Sequence, residues 1–251
     1  MTLCDWCKYN CENILGKAGR MIKIHGFNKL TLLDYPEKVA ATIFLGNCNF
    51  RCPFCQNGGL VLNPDGEPEI PMEDVLNVLK KRKGLLDGVC ITGGEPTLHP
   101  DLPDFISKVK ALGYAVKLDT NGSRPWVIKS LVKDKLIDYV AMDIKNSPER
   151  YAETAGILHL DFSCIEESVE FLMSGAVDYE FRTTVARELH SEDDFRKIGD
   201  WIAGCRRYFL QNYQESEQVI RPIYSSYTKD ELEVFKEILL EKIVQVGIRG
   251  V

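Results

Sequence analysis

Three cysteines that stand close together are the strongest chemical signal in this chain. Cys48, Cys52 and Cys55 occur in the segment Cys-Asn-Phe-Arg-Cys-Pro-Phe-Cys. A short loop of this kind can place three thiolates around one [4Fe–4S] cluster. A cluster that only carries electrons is usually held by a fourth cysteine, and none lies close by in the sequence. One iron would therefore lack a protein ligand and be open to a small molecule, as catalytic metal sites are.

The alternatives for these thiols are a structural zinc site or a disulfide. Zinc would need one more Cys or His ligand, and neither residue type lies nearby. The chain has nine cysteines, and its N-terminus carries no apolar signal core. Cysteines in a chain that is not exported indicate metal or redox chemistry rather than disulfides. We therefore expect a cytoplasmic protein with a metal cluster on these three thiols.

A second segment, Gly93-Gly94-Glu95-Pro96, follows a short apolar run with the character of a buried strand. Glycines at a strand end allow the backbone to approach a ligand closely. A neighbouring carboxylate can accept hydrogen bonds from an ammonium group. A simple turn would explain an isolated pair of glycines, but the position after a strand and downstream of the cysteines favours a ligand site.

These two segments resemble the signatures of the radical S-adenosylmethionine (radical SAM) enzymes, including the aromatic Phe54 just before the last cysteine. In that family the amino and carboxylate groups of S-adenosylmethionine chelate the open iron. An electron from the cluster then breaks a carbon–sulfur bond and releases a 5′-deoxyadenosyl radical. The resemblance implies that the three thiols bind the cluster and that Gly-Gly-Glu-Pro holds the methionine amino group.

Strands that alternate with helices predict right-handed βα units around a parallel sheet. Residues 22–38 add a strand and a turn before the first unit. The predicted strands of the units are 39–45, 88–92, 114–118, 137–142, 177–181 and 218–222. The predicted helices are 72–83, 102–111, 126–133, 162–174, 193–202 and 228–243. Six units are too few for a closed eight-fold barrel, so we expect an open, partial (β/α)6 barrel, which is also the fold of the radical SAM enzymes.

Polar residues gather where the predicted strands end, and parallel barrels keep their chemistry at that end. S-adenosylmethionine carries an ammonium group, which suits Glu95, and a carboxylate, which suits Lys145 or Arg182. Asp119 and Asn121 suit the ribose, or a cation near the cofactor, and an aromatic ring can lie against the adenine. A single strand-end Asp or Asn could instead be a capping residue. The predicted cofactor-binding residues are Phe54, Gln56, Gly93, Gly94, Glu95, Asp119, Asn121, Asp143, Lys145 and Arg182.

The first 21 residues form a separate Cys-containing extension, and residues 22–251 form the predicted radical SAM domain. Cys4, Cys7 and Cys11 make a second group of three thiols. This group predicts a zinc site or a second cluster, with His25 as the nearest candidate for a further zinc ligand. The alternative is a flexible leader that binds no metal.

The composition is that of an ordinary globular protein, with 45% hydrophobic and 27% charged residues. The formal net charge of −6 argues against a nucleic-acid partner, because phosphate binding requires a basic patch. No apolar run approaches the length of a membrane span, so we expect no membrane partner.

Within the radical SAM family, the chain resembles the activating enzymes of glycyl radical proteins, above all the activating protein of anaerobic ribonucleoside-triphosphate reductase. The likeness lies in the cysteine loop, Gly-Gly-Glu-Pro, the Asp34-Tyr35-Pro36 turn and the closing Ile248-Arg249-Gly250. It implies that the 5′-deoxyadenosyl radical generates a glycyl radical on a partner enzyme, with electrons from a donor such as flavodoxin or ferredoxin. The Asp34-Tyr35-Pro36 turn is expected to line the lateral gap of the barrel, where that partner would enter.

Two departures leave other functions open. Gln56 stands where many activating enzymes have histidine, and the N-terminal cysteines are absent from shorter relatives. No cysteine follows Cys205, so the C-terminal auxiliary clusters of peptide-maturing relatives are unavailable. The alternatives are a radical SAM enzyme that modifies a small molecule or a peptide, or, outside enzymes, an iron–sulfur electron carrier or a zinc-bearing interaction protein. Release of 5′-deoxyadenosine would separate the enzymes from the carriers.

Overall fold

The computed structural model describes residues 22–251, so Cys4, Cys7 and Cys11 lie outside the described residues. The strands are β1 Ile24–Thr31, β2 Ala40–Leu45, β3 Gly88–Gly93, β4 Ala115–Thr120, β5 Tyr139–Asp143, β6 Asp178–Val185, β7 Tyr208–Asn212 and β8 Val246–Arg249. The helices are α1 Gly58–Leu62, α2 Met72–Lys81, α3 Leu102–Ala111, α4 Pro125–Lys133, α5 Tyr151–Ala155, α6 Phe162–Met173, α7 Glu192–Trp201 and α8 Lys229–Leu240. Within residues 22–251, no helix has the length and apolar character needed to cross a membrane.

One sheet organises the chain, with its strands side by side in the order of the sequence, from β1 to β8. β1 pairs with β2 in antiparallel fashion, and every later neighbouring pair is parallel. In the described part of the chain, β1 and β8 are the two ends of the sheet and do not pair with each other. The expected open, partial barrel is therefore confirmed.

The helices cover the outer face of the sheet because each has one apolar side. In α2, Val75 and Leu79 are buried, whereas Lys80 is exposed. This helical spacing of apolar residues creates one stripe that packs on the strands. Burial of such a stripe stabilises the fold by about 25 cal/mol per Å² of apolar surface removed from water.

The predicted strand at 218–222 is wrong, because the sixth parallel strand is β7, ten residues earlier. Residues 218–222 include a turn and a bend, and they hydrogen-bond to the cysteine loop instead of joining the sheet. The amide of Ile220 donates to the carbonyl of Cys55 at 3.1 Å, and the amide of Arg221 donates to the carbonyl of Pro53 at 2.8 Å. β8 then adds a further parallel strand beyond the predicted six units. The local pattern indicated an extended segment but not its pairing partner.

The Asp34-Tyr35-Pro36 turn, which was expected to line the lateral gap of the barrel, lies at the end of the barrel away from the cysteine loop. Tyr35 is buried, its ring centroid lies 5.9 Å from that of Tyr139, and it packs on Ala40. The Thr42 hydroxyl donates to the Asp34 carboxylate at 2.5 Å. Ala40 and Tyr139 begin β2 and β5, so the turn closes the N-terminal end of the barrel. The cysteine loop lies after β2, at the opposite end.

Candidate active site

The structure brings all of the predicted site residues of the radical SAM domain into one cavity of about 230 Å³. The cavity lies where the parallel strands end, as expected for this class of fold. Three cysteines and ten predicted cofactor residues line it together: Cys48, Cys52, Cys55, Phe54, Gln56, Gly93, Gly94, Glu95, Asp119, Asn121, Asp143, Lys145 and Arg182. The lining residues that sequence reasoning missed are Phe50, Asn57, Val61, Thr92, Thr120, Thr184 and Gln211.

The cysteine loop presents alternate side chains to the cavity. Cys48, Phe50, Cys52 and Phe54 line the cavity, while Arg51 between them is exposed. The Arg51 guanidinium donates to the carbonyls of Cys48 and Phe50 at 2.5 and 2.8 Å, which holds the loop in a tight curve. These hydrogen bonds from the Arg51 side chain to the backbone of the same loop help to fix the shape of the loop.

Burial dominates the chemistry of the three thiols. It raises the pKa of the Cys48 thiol to about 12 and that of Cys52 to about 11, and it also raises the pKa of Cys55. The ammonium of Lys145 opposes each of these shifts. Thiols in such a setting become thiolates only when a strong Lewis acid binds them, as iron does in clusters.

The donor set fits a multi-iron cluster better than a single ion. Among residues 22–251, no three His, Cys, Asp or Glu side chains converge on a position for one metal ion. A [4Fe–4S] cluster does not require such convergence, because each thiolate binds a different iron. Three thiols that line one cavity, without a fourth, suit a cluster with one iron open toward the cavity.

The two glycines after β3 allow the backbone to lie against the cysteine loop. A Cβ at Gly94 would lie 1.9 Å from the carbonyl oxygen of Asn47, and one at Gly93 would lie 2.3 Å from that of Leu45. Gly93 also has a φ of 112°, a conformation that favours glycine. The sequence suggested close approach to a ligand, whereas the structure shows close approach to the chain's own loop. The Asn57 side chain donates to the Gly93 carbonyl at 2.8 Å and secures this contact.

Glu95 is fully buried and joins the turn after β3 to the turn after β4. Its Oε1 accepts from the Thr97 amide, the Thr97 hydroxyl and the Thr120 hydroxyl at 3.0, 2.5 and 2.8 Å. Its Oε2 accepts from the Asn121 amide at 2.6 Å. Burial raises the pKa of Glu95, and these hydrogen bonds oppose that shift. Oε2 accepts a single hydrogen bond and therefore keeps acceptor capacity, which suits an ammonium group.

Asp119, Asp143, Lys145 and Arg182 form one chain of alternating charges. Arg182 donates through Nη2 to Asp119 at 3.1 Å and through Nε to Asp143 at 2.6 Å. Lys145 donates to the other oxygen of Asp143 at 2.9 Å. Burial alone would raise the pKa of Asp143, but the two cations hold it well below its usual range. These side chains are fixed by one another before any cofactor binds.

Sequence reasoning missed Lys117, the cation at the base of this charged chain. Its ammonium lies against Asp119 Oδ1, and its side chain is 2% exposed. A lysine in the middle of an apolar strand, two residues before Asp119, was the available signal. Side chains two residues apart on a strand lie on the same face of the sheet, so Lys117 and Asp119 are neighbours.

Several neighbouring side chains orient the rim of the cavity. Asn121 donates to the Asn49 side chain at 2.9 Å, and Gln56 donates to the Gln214 carbonyl at 3.0 Å. His190 is buried, with its ring centroid 6.4 Å from that of Phe54. Its Nε2 lies 2.9 Å from the Lys145 carbonyl, and burial lowers its pKa. The neutral imidazole thus helps to position Phe54 and the Lys145 backbone.

Comparison with known proteins decides the family. A model described as the Radical SAM superfamily matches residues 42–193. The chain belongs to the radical SAM superfamily. Members of the superfamily combine a [4Fe–4S] cluster with S-adenosylmethionine, and the cavity offers ligands suited to both.

Among curated proteins, this radical SAM chain is similar to a Methanocaldococcus jannaschii protein that carries the provisional name glycyl-radical enzyme activating enzyme. The two are 32% identical over 205 residues, which cover 77% of this chain and 81% of that protein. It is also 35% identical over 106 residues to the 7-carboxy-7-deazaguanine synthase of Neisseria meningitidis. That match covers 42% of this chain and 43% of the synthase, so the chain spans less than half of that enzyme.

Solved structures share the fold at low identity. SuiB of Streptococcus suis, bound to its precursor peptide SuiA, has a TM-score of 0.65 and 17% identity, covering 81% of this chain and 47% of SuiB. A domain of the pyruvate-formate lyase-activating enzyme from Bacteroides vulgatus has a TM-score of 0.52 and 16% identity, covering 64% of this chain and 98% of that domain. At these identities the likeness shows the fold alone.

Proposed function

We propose that this radical SAM enzyme activates a partner enzyme by generating a glycyl radical on it. The observation that carries the proposal is the similarity to the Methanocaldococcus jannaschii protein, which extends over 77% of this chain and 81% of that protein. The similarity to deazaguanine synthases covers less of this chain: 42% for the Neisseria meningitidis enzyme and 62% for that of Thermoplasma acidophilum. The longer match carries more weight for substrate class, because the substrate-binding parts of a barrel are spread over many strand ends.

The chain's own residues would hold the cofactors in fixed positions. Cys48, Cys52 and Cys55 would bind the cluster, and the free acceptor capacity of Glu95 Oε2 would face the methionine ammonium. When bound, the cluster and S-adenosylmethionine together supply a 5′-deoxyadenosyl radical. The protein contributes positioning and exclusion of water, while the cofactors contribute the bond cleavage.

The charged chain beside the cluster loop suits the remaining groups of the cofactor. Arg182 and Lys145 are tied to Asp143, so their remaining N–H groups can reach a carboxylate without a large loss of side-chain entropy. Asp119 and Asn121 would face the ribose. Phe54, held against His190, would lie against the adenine.

The open sheet supports a protein substrate. A glycine in a folded partner can reach a buried radical only if a loop of the partner enters the cavity. The sheet of residues 22–251 ends at β1 and β8, which do not pair with each other, so strands do not close the barrel there. Anaerobic ribonucleotide reductase is the partner to test first, with flavodoxin or ferredoxin as the electron donor in the cytoplasm.

The test is to mix the reduced, cluster-loaded enzyme with S-adenosylmethionine and anaerobic ribonucleotide reductase under argon. A glycyl radical doublet in electron paramagnetic resonance is expected, and it should be absent with Cys52→Ala. Uncoupled release of 5′-deoxyadenosine without any doublet, from every glycyl radical enzyme of the host, would contradict the proposal. Consumption of a small molecule or a peptide in that case would identify the alternative class of substrate.

A further inference from the structure

Lys117 is a deeply buried charged group beside the cofactor cavity, and the proposed function assigns it no role. It lies in the middle of β4 with only 1% of its surface exposed. Its ammonium contacts Asp119 Oδ1 and lies 3.7 Å from the sulfur of Cys90. Burial would lower the pKa of Lys117, but the charge of Asp119 reverses that effect and raises it. Lys117 is therefore a buried, protonated cation.

Stability alone does not account for this ion pair. Removing two charges from water costs several kcal/mol per ion, and a pair of apolar residues of similar volume is often as stable or more so. The β4 neighbours Val116 and Leu118 are buried and apolar, whereas Lys117 contacts Asp119 on the same strand. The cavity gives the better explanation of this pair, because Asp119, its anionic member, lines the cavity.

We infer that Lys117 is a positioning residue of the cofactor site, which acts through Asp119. The two oxygens of Asp119 each contact a different cation: Oδ1 contacts Lys117, and Oδ2 contacts Arg182 at 3.1 Å. This double anchoring fixes the rotamer of the carboxylate and, with Asp143, the plane of the guanidinium. Without Lys117, Asp119 is free to turn toward Arg182 alone, and both groups leave the positions in which they face the cofactor.

A role of Lys117 through net charge and a role in positioning predict opposite effects of its removal on the binding of S-adenosylmethionine, which makes the inference testable. Three cations, Lys117, Lys145 and Arg182, balance three carboxylates, Glu95, Asp119 and Asp143. Removing the charge of Lys117 makes the site negative, and S-adenosylmethionine has a net positive charge. Electrostatic attraction alone would therefore tighten binding, whereas the loss of positioning weakens it.

The experiment measures the binding of S-adenosylmethionine to cluster-loaded protein by calorimetry under argon. Lys117→Met removes the charge and keeps most of the length of the side chain. We expect affinity to fall about tenfold, the lower range for loss of a residue that orients a direct ligand. S-adenosylhomocysteine, which lacks the sulfonium charge, should lose affinity by a similar factor. Unchanged or tighter binding of S-adenosylmethionine overturns the inference. A loss of affinity for S-adenosylmethionine without a loss for S-adenosylhomocysteine also overturns it.

A second variant tests whether the effect of Lys117 on cofactor affinity depends on Asp119. In an Asp119→Asn background, Lys117→Met should change affinity by less than about twofold, because coupled residues are not additive. An undiminished tenfold loss in that background contradicts the inference. Cys90→Ala is the matched control: it removes a buried side chain beside Lys117 without removing charge, and it should leave affinity unchanged.

The inference rests on the cavity as the cofactor site, not on the identity of the partner. Iron content and the thermal unfolding midpoint show whether each variant is folded and loaded. Failure of the wild-type protein to bind S-adenosylmethionine would refute the proposed function itself. Normal binding by wild type with no effect of Lys117→Met refutes only the role of Lys117.

Discussion

Asp143 accepts a hydrogen bond from the Nε of Arg182 at 2.6 Å, across the boundary between β5 and β6. Their backbones are also register partners in the parallel pair, so the ion pair joins the ends of two strands at the cavity. This relationship links the fold to the site. The same contact that joins β5 to β6 also fixes a guanidinium in the cavity beside the cysteine loop.

Asp143→Asn tests how far this contact stabilises the protein. Breaking a buried ion pair costs about 3–5 kcal/mol when the other charge is left behind, so the variant should unfold at lower urea concentration at pH 7. The lowered pKa of Asp143 determines in which direction the stability of the protein should change with pH. Its stabilisation is present above the unfolded pKa of about 3.9 and is lost as the pH falls below it.

The measurement is urea unfolding of cluster-loaded wild type and Asp143→Asn at neutral and acidic pH. The difference in the free energy of unfolding between the two proteins should narrow as the pH falls below about 3.9, because Asp143 is then protonated in the unfolded state of the wild type but still charged in the folded state. A gap that is constant with pH would mean that the charge of Asp143 contributes nothing to stability.

Glu95→Gln tests the buried carboxylate at the centre of the two turns. Gln has only one acceptor oxygen: with its NH₂ in the place of Oε2 it loses the hydrogen bond from the Asn121 amide, and with its NH₂ in the place of Oε1 it loses those from Thr97 and Thr120. Each unsatisfied buried donor costs about 1–3 kcal/mol, and loss of a charged partner for the ammonium costs about 2–5 kcal/mol of binding. We expect the cluster absorbance to remain while S-adenosylmethionine binding weakens at least tenfold.

Thr97→Val is the control for Glu95, because it removes one hydroxyl donor and leaves the charge in place. It should lower stability slightly and keep most of the cofactor affinity. Equal affinity of wild type and Glu95→Gln in a titration would show that Glu95 does not contact the ammonium and serves only to join the turns.

Gly94→Ala tests the close approach of β3 and the cysteine loop. The new methyl group would lie 1.9 Å from the Asn47 carbonyl oxygen, and neither backbone can move without disturbing the other. We expect reduced iron content after reconstitution and a loss of stability of roughly 3 kcal/mol or more, in the range of severe overpacking. Iron analysis and urea unfolding measure the two effects.

Gly199→Ala is the matched control for Gly94→Ala. Gly199 lies in α7, and a Cβ there would find no atom closer than 3.7 Å. The variant should bind iron normally and be as stable as wild type, or more stable by about 0.5–1 kcal/mol, because alanine favours a helix. Equal iron content in the two glycine variants would refute the steric explanation.

The cavity could be predicted from the sequence because its residues follow a rule of position. Cys48, Glu95, Asp119 and Asp143 each come at or just after the end of a parallel strand, and such ends meet at one edge of the sheet. The chemistry of each residue type then suggested its role. Local sequence and topology were sufficient, since each prediction required only the order of the strands.

Lys117 and residues 218–222 could not be assigned in this way. The function of Lys117 depends on a side chain that points down into the barrel, where a charge contradicts the usual apolar pattern of a strand. The sequence of 218–222 resembles a strand, but the segment contains a turn and a bend, and it hydrogen-bonds to Pro53 and Cys55, more than 160 residues away in the chain. Periodicity describes local conformation and contains no information on such distant pairing.

A hydrogen bond at the base of the barrel allows an effect on stability to be distinguished from an effect on partner binding. Asp34 accepts a hydrogen bond from Thr42 at 2.5 Å, at the end of the barrel away from the cysteine loop. Asp34→Ala leaves the buried Thr42 hydroxyl without this acceptor and should lower the free energy of unfolding by about 1–3 kcal/mol. Because the turn lies far from the cavity, glycyl radical formation and uncoupled release of 5′-deoxyadenosine should fall by the same factor, if they fall at all.

Thr42→Val removes the other partner of this hydrogen bond and should behave in the same way, since neither residue would touch the partner enzyme. If Asp34→Ala weakens radical transfer to anaerobic ribonucleotide reductase while uncoupled cleavage and Thr42→Val are unaffected, the turn contacts the partner, and the base of the barrel takes part in docking.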